Sequence, residues 1–198
     1  MQYRPMPNWI GAAIALSTTM GFPFILGLVR AFHAATRATA GDMTAMVEVM
    51  EGLAQAGQTG SQSGVPLMFG LVAEAHQALH QPADGLGAAD VGLGISAQTS
   101  QGFWDGELHR VKGELVLAAG GAPQEAAQLF ERALGLARIE DAHSMELRAA
   151  ISHGRLLAAQ GRPAEAHDLL RTVYDRFTEG WDTGDLVAAR ALLSEFAG

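Results

Sequence analysis

The sequence predicts an all-α protein: a helical-hairpin solenoid of about four hairpins, with a leading helix and a terminal capping helix. Three observations lead there. Alanine, the residue of strongest helix propensity, makes up about a fifth of the 198 residues. Aromatic residues are only 7%, and the β-branched ones are too scattered to write strands. Small residues recur at Ala34, Ala73, Gly113 and Gly154, midway along four segments that read as helices, where close antiparallel helix packing needs them.

The leading helix occupies residues 1–21. Asn8 to Met20 reads as one helix, stopped by Gly21 before Pro23 opens the next. No charged residue lies between Arg4 and Arg30, but Ser17-Thr18-Thr19, Gly21 and Pro23 split that stretch into two apolar pieces of eight. A membrane span needs roughly 20 continuous apolar residues, so no membrane association is expected. A signal peptide with Arg4 as its basic region and Trp9–Leu16 as its apolar region is disfavoured, because one arginine followed by two prolines is a weak start. The expected location is the cytoplasm.

Hairpin 1 spans 22–57: Arg30-Ala-Phe-His-Ala34-Ala-Thr-Arg37 leads through Ala40-Gly41-Asp42 to Met46, Met50 and Leu53. Hairpin 2, at 65–98, runs from Phe69-Gly-Leu-Val-Ala73 through a turn at Gln81-Pro82 to Ala89 and Leu93, and is glycine-rich. Hairpins 3 and 4, at 103–139 and 144–179, align well. His109-Arg-Val-Lys-Gly113 and Ala150-Ile-Ser-His-Gly154 each lead through a tight turn into a second helix opening Glu-Ala, at Glu125-Ala126 and Glu165-Ala166. The four small anchors lie 39, 40 and 41 residues apart. Tetratricopeptide units repeat about every 34 residues and HEAT/armadillo units about every 40–47. The spacing within each hairpin follows the first type, with longer linkers at Gly57–Val65, Gln98–Gly102 and Glu140–Ser144 supplying the excess. In 182–197, Asp182-Thr183 caps a helix whose Leu186, Ala189, Leu192, Leu193 and Phe196 share one face, closing the stack. The apolar N-terminal helix lacks such a polar cap. It is expected to be a homodimer surface or a contact with further polypeptide.

Phe103-Trp104-Asp-Gly-Glu107-Leu108-His109-Arg110-Val-Lys112-Gly113-Glu114-Leu115, Glu146-Leu147-Arg148-Ala149-Ala150 and Phe177-Thr178-Glu179-Gly180-Trp181-Asp182-Thr183 carry a family likeness. Together with Ala15-Leu16-Ser17 and Gly21-Phe22-Pro23-Phe24, they make residues 12–197 similar to one region of large bacterial signalling proteins. The chain resembles the C-terminal tetratricopeptide-like repeats of bacterial signalling ATPases of the adenylate/guanylate cyclase-homologue type. That resemblance implies the repeats alone. No Gly-x-x-x-x-Gly-Lys-[Ser/Thr] loop is present, and no cyclase metal carboxylates can be placed.

Charge and composition narrow the function further. The net charge is −8 and Lys112 is the only lysine, so there is no basic footprint for nucleic acid. The absence of cysteine removes disulfides, thiolate metal sites and cysteine nucleophiles. His76 and His80 stand i, i+4, a metal-ligand spacing, but lack a third ligand; packing histidines are the better reading, as for His109 and His153. Asp105, Glu107 and Glu114 are candidates for acid–base chemistry, yet Arg110 three residues after Glu107 reads as surface i, i+3 pairing. Tyr174, Phe177 and Trp181, at helical spacing, are expected to pack the last hairpin against the terminal helix.

No catalytic signature, metal site or cofactor is therefore expected. The repeats place Glu74, Gln77, Arg110, Glu114, Arg148 and Arg155 on or near a concave groove, Arg148 and Arg155 facing solvent. The function this implies is a non-catalytic protein-interaction or regulatory module in signal transduction, binding a protein or peptide segment or other domains of a larger protein. The alternative is a small-ligand sensing domain, since the NTPases that the chain resembles often sense an inducer through their repeats.

Overall fold

The computed structural model describes residues 9–197. Residues 1–8, including Arg4 and the start of the leading helix, lie outside the described residues. The described chain is all-α. It forms two compact units that divide between Trp104 and Asp105.

The first unit contains α1 (Trp9–Thr19), α2 (Pro23–Thr39), α3 (Ala45–Gly57), α4 (Val65–Ala78) and α5 (Pro82–Thr99), followed by one 3-10 turn at Gly102–Trp104. α2 packs along α3 and α4 along α5, while α2 also lies against α1 and α4. α3 only grazes α4, and no Cα of α3 comes within 8 Å of one in α5. Small side chains make the main contacts: Ala31, Ala34, Ala35, Ala38, Ala45 and Ala73 are fully buried. α2 and α3 approach closest where Gly27 meets Gly52.

The second unit contains α6 (Asp105–Ala118), α7 (Pro123–Ile139), α8 (His143–Ala159), α9 (Pro163–Tyr174) and α10 (Gly184–Phe196). Each of α6, α7 and α8 packs on the next helix, α6 also touches α8, and α10 covers both α8 and α9. The core joins Leu147, Ile151, Leu170 and Val173 with Leu186, Leu193 and Phe196 from α10. Gly113 leaves room for the Phe130 ring of α7, whereas the nearest atom to a β-carbon on Gly154 belongs to Phe196 of α10. Thr183 precedes α10 with extended backbone, but its side chain makes no capping hydrogen bond.

One local device stops most of these helices. A residue with left-handed backbone follows the helix, and the next N–H donates to a carbonyl five residues back. Asp42 donates to Arg37, Gln81 to His76, Gly121 to Val116 and Arg162 to Leu157, after Gly41, His80, Gly120 and Gly161 respectively. Phe22, Gln101 and Ala142 repeat the pattern after Gly21, Ser100 and Asp141. With Gly60 and Gly180, the left-handed residues fall at 21, 41, 60, 80, 100, 120, 141, 161 and 180, a step of 19 to 21 residues. Among the described residues Gly64, just before α4, is the left-handed residue outside this series. Proline then opens α2, α5, α7 and α9, where its missing N–H costs nothing.

Two expectations change here. α4 ends at Ala78 and His80 sits in the turn at φ 58, so His76 and His80 do not share a helix face. The ring nitrogen Nδ1 of His76 instead pairs with Gln81 Oε1 at 2.8 Å. Likewise α9 ends at Tyr174, so Phe177 and Trp181 belong to the following turn and not to a helical stripe. They still pack: Trp181 against Tyr174 with ring centroids 5.5 Å apart, and Phe177 against His143 at 6.4 Å.

Candidate functional site

Contact between α6 and α8 gathers three of the sequence-designated residues, Arg110, Glu114 and Arg148, into one polar network. Arg110 is 5% exposed and Glu107 7%. The Arg110 guanidinium donates to Glu107 Oε1 from Nε at 3.0 Å and from Nη2 at 2.6 Å, and to Glu114 Oε1 from Nη1 at 2.8 Å. Arg148 reaches across from α8 to the same Glu107 oxygen at 2.8 Å. The Ser152 hydroxyl donates to Glu114. This corrects the surface-pair reading of Glu107 and Arg110. Spacing within one helix shows that the two can meet, but not that α8 lies over them.

Two arginines and two carboxylates balance their charge, which makes burial tolerable. Removing one partner from such a cluster leaves a buried charge uncompensated. Glu107 Oε2 and Asp105 Oδ1 are buried with no hydrogen-bond partner among the described residues. The network spends its arginines and carboxylates on one another across the two helices. Its geometry is that of a brace between α6 and α8.

A second brace escaped the sequence reading. Glu146, 2% exposed, accepts from Arg138 Nε at 2.7 Å and from Arg176 Nη1. Arg138 comes from the end of α7 and Arg176 from the turn after α9, so one carboxylate ties both flanks of α8. A signal existed in the spacing. Asp105 and Glu146 stand 41 residues apart, as do Ala118 and Ala159 at the ends of α6 and α8. The carboxylate thus falls at a matching place in both helices.

Glu74 and Gln77 lie half-buried on α4 in the first unit. Arg155 is exposed and makes no ion pair among the described residues, while the Arg148 side chain is 35% exposed and paired. Among the described residues, no three His, Asp or Glu side chains converge to hold a metal ion. No helix among them is long and apolar enough to cross a membrane. No family model and no curated protein matches this chain.

Two histidines of the second unit are withdrawn from solvent, His153 buried and His109 half-buried. Burial pushes the His109 pKa down to about 4; Arg132 and Lys112 add to the shift and Asp105 opposes it. Burial also lowers His153, with Glu131 opposing and Arg162 adding. His153 lies 6.0 Å from the Phe130 ring, and Nδ1 of each histidine has no partner among the described residues. Neutral rings packed between helices account for both.

Proposed function

We propose that this chain is a non-catalytic binding module of the tetratricopeptide-like solenoid type, acting in bacterial signal transduction in the cytoplasm. The observation that carries the reading is the series of left-handed turn residues at a step of 19 to 21. Such regularity is the mark of one helix–turn unit used repeatedly, and arrays of that kind present extended surfaces to other polypeptides. The sequence resemblance to the repeats of signalling ATPases points the same way. The partner is a protein segment or another domain of a larger protein. Glu74, Gln77, Arg110, Glu114, Arg148 and Arg155 mark the proposed face, on which Arg155 is exposed and Arg110 serves as internal support.

The test is affinity capture with cross-linking mass spectrometry, comparing the wild type with Arg155→Glu. A protein captured by the wild type and lost by the variant, with helicity unchanged, supports the reading. Identical capture by both removes Arg155 from the face. Stabilisation of the chain by a nucleotide or a divalent metal in a thermal-shift panel contradicts the non-catalytic reading.

The same proposal includes self-association through the N-terminal helix. Trp9 and Leu16 on α1, and Met20 just beyond it, are 49%, 62% and 57% exposed, and exposed apolar patches of this kind favour burial against another surface. Light scattering is expected to show a dimer that Trp9→Glu converts to a monomer. A wild-type monomer at high concentration overturns it.

A further inference from the structure

We propose that the cleft between α3 and α5 in the first unit binds a small neutral molecule: a single substituted ring carrying one hydroxyl or carbonyl group. The inference does not depend on the protein-binding reading and stands or falls separately from it.

The cleft lies beside a long loop. Seven residues, 58–64, join α3 to α4, whereas three, 140–142, join α7 to α8. α7 lies along α8, whereas α3 leans away from α4. The resulting space is about 240 Å³. Val65 and Phe69 of α4 line it, together with Leu53 from α3 and Ile95 from α5. Ser61 and Gln62 form its polar rim.

Size and chemistry then select the ligand. An apolar cavity of about 150 Å³ takes up benzene, and sites for drug-sized molecules begin at about 300 Å³. A volume between the two fits one ring with a short substituent. The Phe69 ring offers an aromatic face, and aromatic pairs gain from offset or edge contact beyond their area. Among the described residues no charged side chain lines the cleft, so an ionic ligand would lose its hydration without a counter-charge. At the rim, neither the Ser61 hydroxyl nor the Gln62 carboxamide donates a hydrogen bond to another described residue, which leaves both donors for a ligand oxygen.

The rim is also held in place. The Gln101 carboxamide accepts from the Gly64 N–H at 3.0 Å and donates to the Gln62 carbonyl at 3.2 Å. One side chain just beyond α5 thereby fixes the 58–64 loop at two points. A site whose rim is already ordered loses less entropy on binding than one that must form.

Benzyl alcohol is the probe, titrated into the isotopically labelled full chain and followed by amide chemical shifts. The expected result is saturable shifts at Leu53, Gly57, Ser61, Phe69 and Ile95. Benzoate, the same ring with a charge, is expected to bind at least tenfold more weakly; this comparison needs no variant. Gly57 lines the cleft at the end of α3, where a β-carbon would meet no atom within 4 Å. Gly57→Leu therefore fills the space without a backbone clash and is expected to weaken benzyl alcohol at least tenfold. Gly87→Leu, equally open around its β-carbon but outside the cleft, is expected to keep wild-type affinity. Shifts confined to other residues, no saturable shift at all, equal binding of benzoate, or unchanged affinity in a folded Gly57→Leu each overturn the proposal.

Discussion

Gly27 and Gly52 meet backbone to backbone: a β-carbon on Gly27 would stand 2.5 Å from the Gly52 carbonyl oxygen, and one on Gly52 would stand 2.7 Å from that of Gly27. Glycine in a helix interior normally costs about 1 kcal/mol relative to alanine, so both positions hold glycine against local propensity. Gly27→Ala or Gly52→Ala is expected to destabilise the first unit by about 1–3 kcal/mol, the usual cost of overpacking. Urea denaturation checks this, and a stabilised variant shows that α2 and α3 are not in backbone contact.

His80 makes the opposite case. It adopts φ 58 where Gly41, Gly120 and Gly161 occupy the corresponding turns. A side chain in left-handed backbone costs about 1–2 kcal/mol, so His80→Gly is expected to raise the thermal midpoint despite the greater flexibility of the unfolded chain. His80→Ala, which keeps a β-carbon, should give no such gain.

Gly113 and Gly154 are expected to respond differently to leucine. At Gly113 a β-carbon would fall 2.5 Å from Cε1 of the buried Phe130 ring, so Gly113→Leu forces α6 from α7. At Gly154 the nearest atom is Cε2 of Phe196 at 3.3 Å, ahead of the Ala166 carbonyl at 3.7 Å. Gly154→Leu should therefore loosen α10 first, read as faster hydrogen exchange in 184–196 while α9 stays protected.

The Glu107–Arg148 pair joins α6 to α8 at 2.8 Å with the carboxylate buried. A double-mutant cycle with Glu107→Gln and Arg148→Gln is expected to give a coupling of about 1 kcal/mol or more, within the usual range for residues in contact. Additive effects would show that the pair contributes nothing. Reversing Arg148 to glutamate is expected to destabilise the unit, because it sets a second carboxylate against Glu107.

His109 predicts a pH dependence. Its folded pKa of about 4 lies below the ordinary 6.5, so between those values the unfolded state binds the proton more readily. Stability is then unaffected above pH 6.5 and falls as the pH drops toward 4, with no further loss from this group below that. His109→Gln should flatten the slope of unfolding free energy across this window. An unchanged slope shows that His109 titrates normally in the folded protein.

The all-helical class was legible because alanine, apolar spacing and the Gly–Pro punctuation all act locally. Gly21, Gly41, Gly120 and Gly161 announce their turns, whereas His80, Ser100 and Asp141 do the same work with residues that carry no such signal. From sequence alone, His80 consequently reads as part of a helix. The buried braces were less legible, because burial depends on which helix lies above. Glu107 and Arg110 look like surface pairing until α8 is placed, and Glu146 gains one arginine from the end of α7 and the other from the turn after α9. The α3–α5 cleft left no sequence signal beyond the length of its loop.

The turn device also bears on how the chain finds its fold. Seven of the reversals are settled by a hydrogen bond spanning five residues, so little loop-closure entropy stands in the way of consecutive helices meeting there. Most packing partners are neighbours along the chain, the situation in which helical proteins fold within microseconds to milliseconds. Three pairings skip a helix: α2 with α4, α6 with α8, and α8 with α10. In the second unit α10 holds only to α8 and α9 and is joined to α9 by the unit's longest connection, residues 175–183, which makes its departure the easiest first event in unfolding.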